Sequence, residues 1–203
     1  LLLDRRLDEA RERFRSADTT DPLLFLGRAQ SDEEFRESEA HRLVQCPTTP
    51  ANALRAGVID LYEGDFAKSE QLLAIAWQGS PTTLTRLLLA EALQLRPDGR
   101  RRGHALLEQL VAQIGGPSVR RWYEANRKSG WTTKPPDPRL VPRERRLELA
   151  GVLKSLWTEA TSYSQVAAGE GKGRHWVTLP RDPTAVRQAA FLREWIESLK
   201  RAS

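Results

Sequence analysis

Gly64-Asp65-Phe66-Ala67 stands between two stretches of helical apolar spacing, with Gly57 upstream and Pro81 downstream. Glycine enters the left-handed backbone region without strain, so Gly64 is expected to end one helix. That helix runs from about Ala51 to Tyr62, with Ala53, Ala56 and Gly57 small enough for close contact. The next runs from about Phe66 to Trp77, with Phe66, Ser69, Leu73 and Ala76 on one face. Gly79-Ser80-Pro81 closes the unit. Two helices joined by so tight a turn predict an antiparallel hairpin, and hence an all-α fold.

A second, more degenerate hairpin follows. Leu84, Leu87, Leu88, Glu91, Ala92 and Leu95 make one helix, and Arg96-Pro97-Asp98-Gly99 a turn. Gly103, Leu106, Leu107, Leu110, Val111 and Ile114 make the other helix, ended by Gly115-Gly116. Gly57 to Ser69 is 12 residues and Gly57 to Pro81 is 24. On these spacings residues 50–116 resemble the tetratricopeptide-repeat family, whose unit is about 34 residues long. Ala53 stands where the family has a larger residue, and Ser69 where it has alanine. The resemblance implies hairpins stacked as a short solenoid, a non-enzymatic scaffold, and a groove lined by the first helix of each hairpin. That groove would receive a peptide or a partner helix, with Asn52, Arg55, Tyr62, Arg86 and Glu91 on its outward side.

Around this centre, residues 1–47 predict helices that pack on the array. Leu3, Leu7, Ala10 and Phe14 form a stripe over residues 2–16, and Asp18 to Pro22 ends it. A short helix follows through Ala29. Ser31 and Glu34 have capping-box spacing for a helix carrying Phe35, Ala40, Leu43 and Val44, which stops before Cys46-Pro47. Residues 117–203 predict a helical extension. Pro117 opens a helix bearing Val119, Trp122 and Tyr123, and residues 129–142 form a basic, proline-rich loop. A helix over 143–166 places Leu149, Leu153, Leu156, Trp157 and Ala160 inward. Gly169 to Gly173 is a break, and Trp176 to Leu179 reads as extended. Asp182 caps a last helix with Val186, Ala189, Ala190, Trp195, Ile196 and Leu199 inward.

Charge is distributed unevenly. Residues 1–40 hold 7 Arg against 11 Asp or Glu, whereas residues 117–146 hold 9 Arg or Lys against 3 Asp or Glu. The middle segment therefore accounts for the net charge of +5. Arg120, Arg121, Arg127, Lys128 and Lys134 form a basic patch interleaved with Trp122, Tyr123 and Trp131. Cations on phosphates and aromatics on bases would suit a single-stranded nucleic acid, the alternative partner class.

Catalytic and cofactor chemistry finds no support. Gly169-Glu170-Gly171-Lys172 fails as a phosphate loop, because Val166 stands where its first glycine belongs and Gly173 where Ser or Thr must follow. His41, His104 and His175 are widely separated, so no metal or cofactor is expected. Cys46 is the single cysteine, which excludes an internal disulfide and fits a reducing compartment, slightly favouring a cytoplasmic over a periplasmic location without fixing either. No run of 18 or more apolar residues predicts a membrane span. The chain holds no methionine, even at position 1, and Leu1-Leu2-Leu3 would suit the remnant of an upstream anchor. An accessory subunit of a bacterial envelope or secretion complex is a third expectation.

Overall fold

The computed structural model describes residues 7–16, 18–161, 165–168, 175–178 and 183–203. The chain divides into two compact units, Leu1–Gly103 and His104–Ser203. The division falls in the first turn of a helix that the sequence assigned to the second hairpin, whereas the boundaries expected from sequence were at 47 and 116.

The first unit contains α1 (Leu7–Phe14), α2 (Pro22–Ser31), α3 (Glu33–Val44), α4 (Pro50–Glu63), α5 (Phe66–Gly79) and α6 (Thr83–Gln94), and the start of α7 (Arg100–Ser129). Its helices begin where side-chain oxygens replace missing backbone partners. Asp21 accepts from Leu23 and Leu24, Thr49 from Asn52, Asp65 from Lys68, and Thr82 from Thr85. Pro22 and Pro50 occupy first-turn positions, where the lost N–H has no helical partner.

The capping box expected from Ser31 and Glu34 is corrected by one residue. Asp32 is the cap of α3, its carboxylate accepting from Phe35 N. Ser31 completes α2, and its hydroxyl donates back to the Gly27 carbonyl at 2.9 Å. The first-turn acids of α3 are Glu33 and Glu34, which suit the positive end of a helix.

The α4–α5 hairpin forms as its turn dictates. Gly64 ends α4 with φ of 87°, and its N–H reaches the Asp60 carbonyl. Gly57 lets the helices close, since a Cβ there would lie 2.8 Å from Leu73 Cγ. Leu73 and Ala76 of α5 and Ala53 and Val58 of α4 are buried. α5 packs next on α6, α2 touches α4, and α4 touches α6. Phe25 and Phe35 meet edge to face, joining α2 to α3. Leu95 and Val44 remain exposed, although their spacing assigned both to buried stripes.

The second unit is also mainly helical. α7 is broken at Gly116, whose backbone (φ 75°, ψ −174°) is not helical, and Pro117 restarts the chain. The sequence placed a helix end there, so the break agrees. Leu107, Leu110, Val111 and Ile114 lie buried before it, and Val119, Trp122 and Tyr123 after it. Two short 3-10 turns, Pro138–Leu140 and Arg143–Arg145, lead to α8 (Arg146–Thr161), which packs on α9 (Pro183–Ala202). Leu149, Leu153 and Leu156 of α8 and Leu192, Trp195 and Leu199 of α9 form that core.

The helix expected over 143–166 ends at Thr161, and β1 (Gln165–Ala168) pairs antiparallel with β2 (His175–Thr178) instead. The aromatic and β-branched residues of His175-Trp176-Val177-Thr178, facing Val166 in the register, favour an extended ribbon over continued helix. Val186 and Ala190 are exposed, not inward; the buried stripe of α9 starts at Ala189. Leu3, the Gly169–Gly173 break, Leu179, the Asp182 cap and the Ala160 side chain lie outside the described residues.

Candidate partner-binding cleft

The five residues expected to anchor a partner make different contacts within the fold. Arg55 donates from Nη2 to the Thr19 carbonyl at 2.7 Å and lies 5.3 Å from the Phe25 ring centroid. It therefore ties the segment before α2 onto α4. Arg86 covers the Trp77 ring at 5.4 Å, joining α6 to α5. Tyr62 is half-buried, and burial first, then the Glu91 carboxylate, push its phenol above the ordinary range, while Arg36 opposes them. Tyr62 and Glu91 are thus electrostatic neighbours across α4 and α6. Asn52 lines a cleft, its Nδ2 donating to the Pro47 carbonyl at 2.9 Å.

Asn52 marks the structure's own candidate. A cleft of about 290 Å³ opens between the C-terminal end of α3, the body of α4 and the first turns of α5. Leu43, Ala53, Ala56, Ile59 and Leu72 give it an apolar floor, and Ala40, Val44, Cys46 and Asn52 line it as well. Two alanines on α4 make the space, because larger side chains at those positions would fill it. Val44 is 86% exposed, although it is aliphatic. Asp60 and Lys68 also line it, with Lys68 Nζ 2.9 Å from Asp60 Oδ1. Asp60 is buried, and desolvation raises its carboxyl above the ordinary value, Lys68 opposing it and Asp65 and Glu63 adding to it. Sequence reasoning missed Asp60 because α4 reads as a plain apolar stripe there; its one signal was an acid inside Val58-Ile59-Asp60-Leu61.

The basic patch separates into two parts. All five cations are exposed. Arg120 pairs with Glu124 at 2.8 Å, and Arg127 with Glu108 at 2.8 Å. The interleaved aromatics face the other way. Trp122, Tyr123 and Trp131 are 8%, 4% and 3% exposed and meet edge to face, with Trp195 4.6 Å from Trp122 between centroids. Trp131 adopts φ of 64°, held by a backbone bond from its N–H to Asn126 O. Asn126 is buried and ties the loop down: Thr133 N donates to its Oδ1 at 2.9 Å, and its Nδ2 donates to the Trp122 carbonyl. Trp122 Nε1 donates to the Lys134 carbonyl at 2.6 Å. The aromatic faces expected to stack on bases are therefore spent on packing the first half of the proline-rich loop.

Among the described residues no group of three or more His, Cys, Asp or Glu could hold a metal ion, and no helix is long and apolar enough to cross a membrane. No protein-family model, no curated protein and no solved structure matches the chain.

Proposed function

We propose that the chain is a non-enzymatic, repeat-type interaction module that docks a segment of another protein in the cleft beside α3 and α4. The carrying observation is the cleft itself, an apolar floor of about 290 Å³ with an exposed valine beside it. Burial of partner side chains on such a floor supplies most of the affinity, with a few residues dominating. The contacts of α2 with α4 and of α4 with α6 support a repeat-like stack, in which first helices of successive hairpins touch. The docking face proposed here differs from the first-helix groove that the resemblance implies, because Arg55 and Arg86 already have aromatic partners within the fold.

Filling the cleft tests this reading. Ala56→Phe should leave the helical circular-dichroism spectrum unchanged and abolish co-purification of a specific protein partner from a native lysate. An identical set of co-purifying proteins with both forms would reject the cleft as the docking face.

A further inference from the structure

The cleft is apolar except at one end, where a carboxylate is left half-satisfied. Asp60 Oδ1 meets Lys68 Nζ at 2.9 Å, but Oδ2 is closed off from solvent and has no hydrogen-bond partner among the described residues. A buried carboxylate oxygen without a donor is a costly arrangement, because the water it gave up has not been replaced. The cation it meets among the described residues is loosely held. The Lys68 side chain is 61% exposed, so its ammonium can leave without unpacking the core.

The surroundings favour positive charge as well. Asp65 and Glu63 both bear on Asp60 with negative charge. A point-charge ammonium satisfies one oxygen of a carboxylate, whereas a planar guanidinium that enters where Lys68 leaves can meet both once the Asp60 carboxylate turns toward the cleft.

We propose that the occupant of the cleft is a segment of a partner protein that inserts an aliphatic side chain over Ala53 and Ala56 and sets an arginine, or a lysine, on Asp60 in place of Lys68. The proposal rests on the docking reading above and adds the chemistry of the partner to it. Lys68 then acts as an internal placeholder: it keeps the carboxylate half-paired when the cleft is empty and swings into water when the cleft is filled. The aliphatic contact gives the bulk of the binding, and the carboxylate sets which sequences are accepted, since a neutral or acidic residue there leaves Asp60 stranded.

The test uses a phage-displayed library of random twelve-residue peptides panned on the folded protein, with alkylation of Cys46, which lines the cleft, as the site control. Enriched peptides should carry Arg or Lys beside or within one helical turn of an aliphatic residue. Their synthetic forms should lose tenfold or more in affinity on Asp60→Asn, and gain severalfold on Lys68→Gln, because the internal competitor is gone. Peptides that alkylation of Cys46 blocks, but that bind Asp60→Asn as tightly as wild type, would overturn the inference and leave the docking reading standing. Failure to enrich any peptide that alkylation blocks would overturn both. A dimer in analytical ultracentrifugation that Ala56→Phe dissociates would seat a second copy in the cleft, and overturns the inference too.

Discussion

The Ser69 hydroxyl donates to the Gly57 carbonyl at 2.7 Å, in the buried seam between α4 and α5. It sits where the resemblance leads one to expect alanine, so the hairpin closes on a hydrogen bond as well as on apolar contact. The two residues make different demands. Gly57 lies too near Leu73 to accept a Cβ without movement, whereas Ser69 can lose its hydroxyl and keep its volume. Gly57→Ala should destabilise the protein by about 1–3 kcal/mol through overpacking. Ser69→Ala should cost about 0.5–1.5 kcal/mol, the net worth of an ordinary hydrogen bond. Urea unfolding of both variants measures the order.

Gly64 offers a purer case. A Cβ there meets nothing within 4 Å, so space is no obstacle, and only the φ of 87° opposes a side chain. Gly64→Ala should therefore cost about 1–2 kcal/mol, with Gly64→Asn losing less because asparagine tolerates the left-handed region. Equal midpoints for Gly64→Ala and wild type in thermal unfolding would mean that the turn had relaxed.

The Asn126 amide holds the loop over Trp122. Asn126→Ala strands the Thr133 N–H and removes the donor to the Trp122 carbonyl. The expected loss is about 1–3 kcal/mol, that of leaving a buried polar group unsatisfied. Trp131→Ala, which empties a site 3% exposed, should cost about 3–5 kcal/mol. Charge reversal at exposed Arg121 or Lys128 should change stability by no more than about 0.5 kcal/mol. Weak, steeply salt-dependent nucleic-acid binding that survives at these cations, in a gel shift, would separate phosphate contact from base stacking.

Asp60 and Glu108 titrate in opposite senses. Asp60 has its carboxyl raised above 3.8 by burial, so its contribution to stability is fully present below that value and is lost as pH rises through the higher folded value. Asp60→Asn, which resembles the protonated form, should therefore gain on wild type as pH rises from about 3 to about 7. At Glu108 burial pushes the carboxyl up, but hydrogen bonds and charge from His104 and Arg127 outweigh it and leave it below 4.5. Its stabilisation is present above that value and lost as pH falls through the lower folded value. Glu108→Gln should destabilise at neutral pH and approach wild type in acid. Urea unfolding across that pH range reads both slopes.

The helices were largely legible because their ends are local chemistry. Gly64, Pro50, Pro117 and Asp65 act through the backbone of their own few residues, and the stripes of α4 to α9 follow from the helical period. The candidate site was far less legible. Arg55 reads as a surface cation until Thr19, 36 residues away, takes its hydrogen bond. Ser31 and Asp32 both suit a cap, and the register between α2 and α3 decides for Asp32. Trp131 sits among lysines and arginines, and nothing local reveals that it turns into the core.

Spacing and capping thus determined, from the chain alone, that helices form, where most of them stop, and that Gly64 folds two of them into a hairpin. Tertiary packing decided which polar groups are engaged within the fold. Arg55, Arg86, Trp122 and Trp131 are consumed within the fold, while Asp60 is buried beside an apolar cleft with one oxygen unanswered among the described residues. The reason is physical: helix ends depend on neighbours in sequence, whereas the state of a charge or an indole depends on what distant segments bring against it.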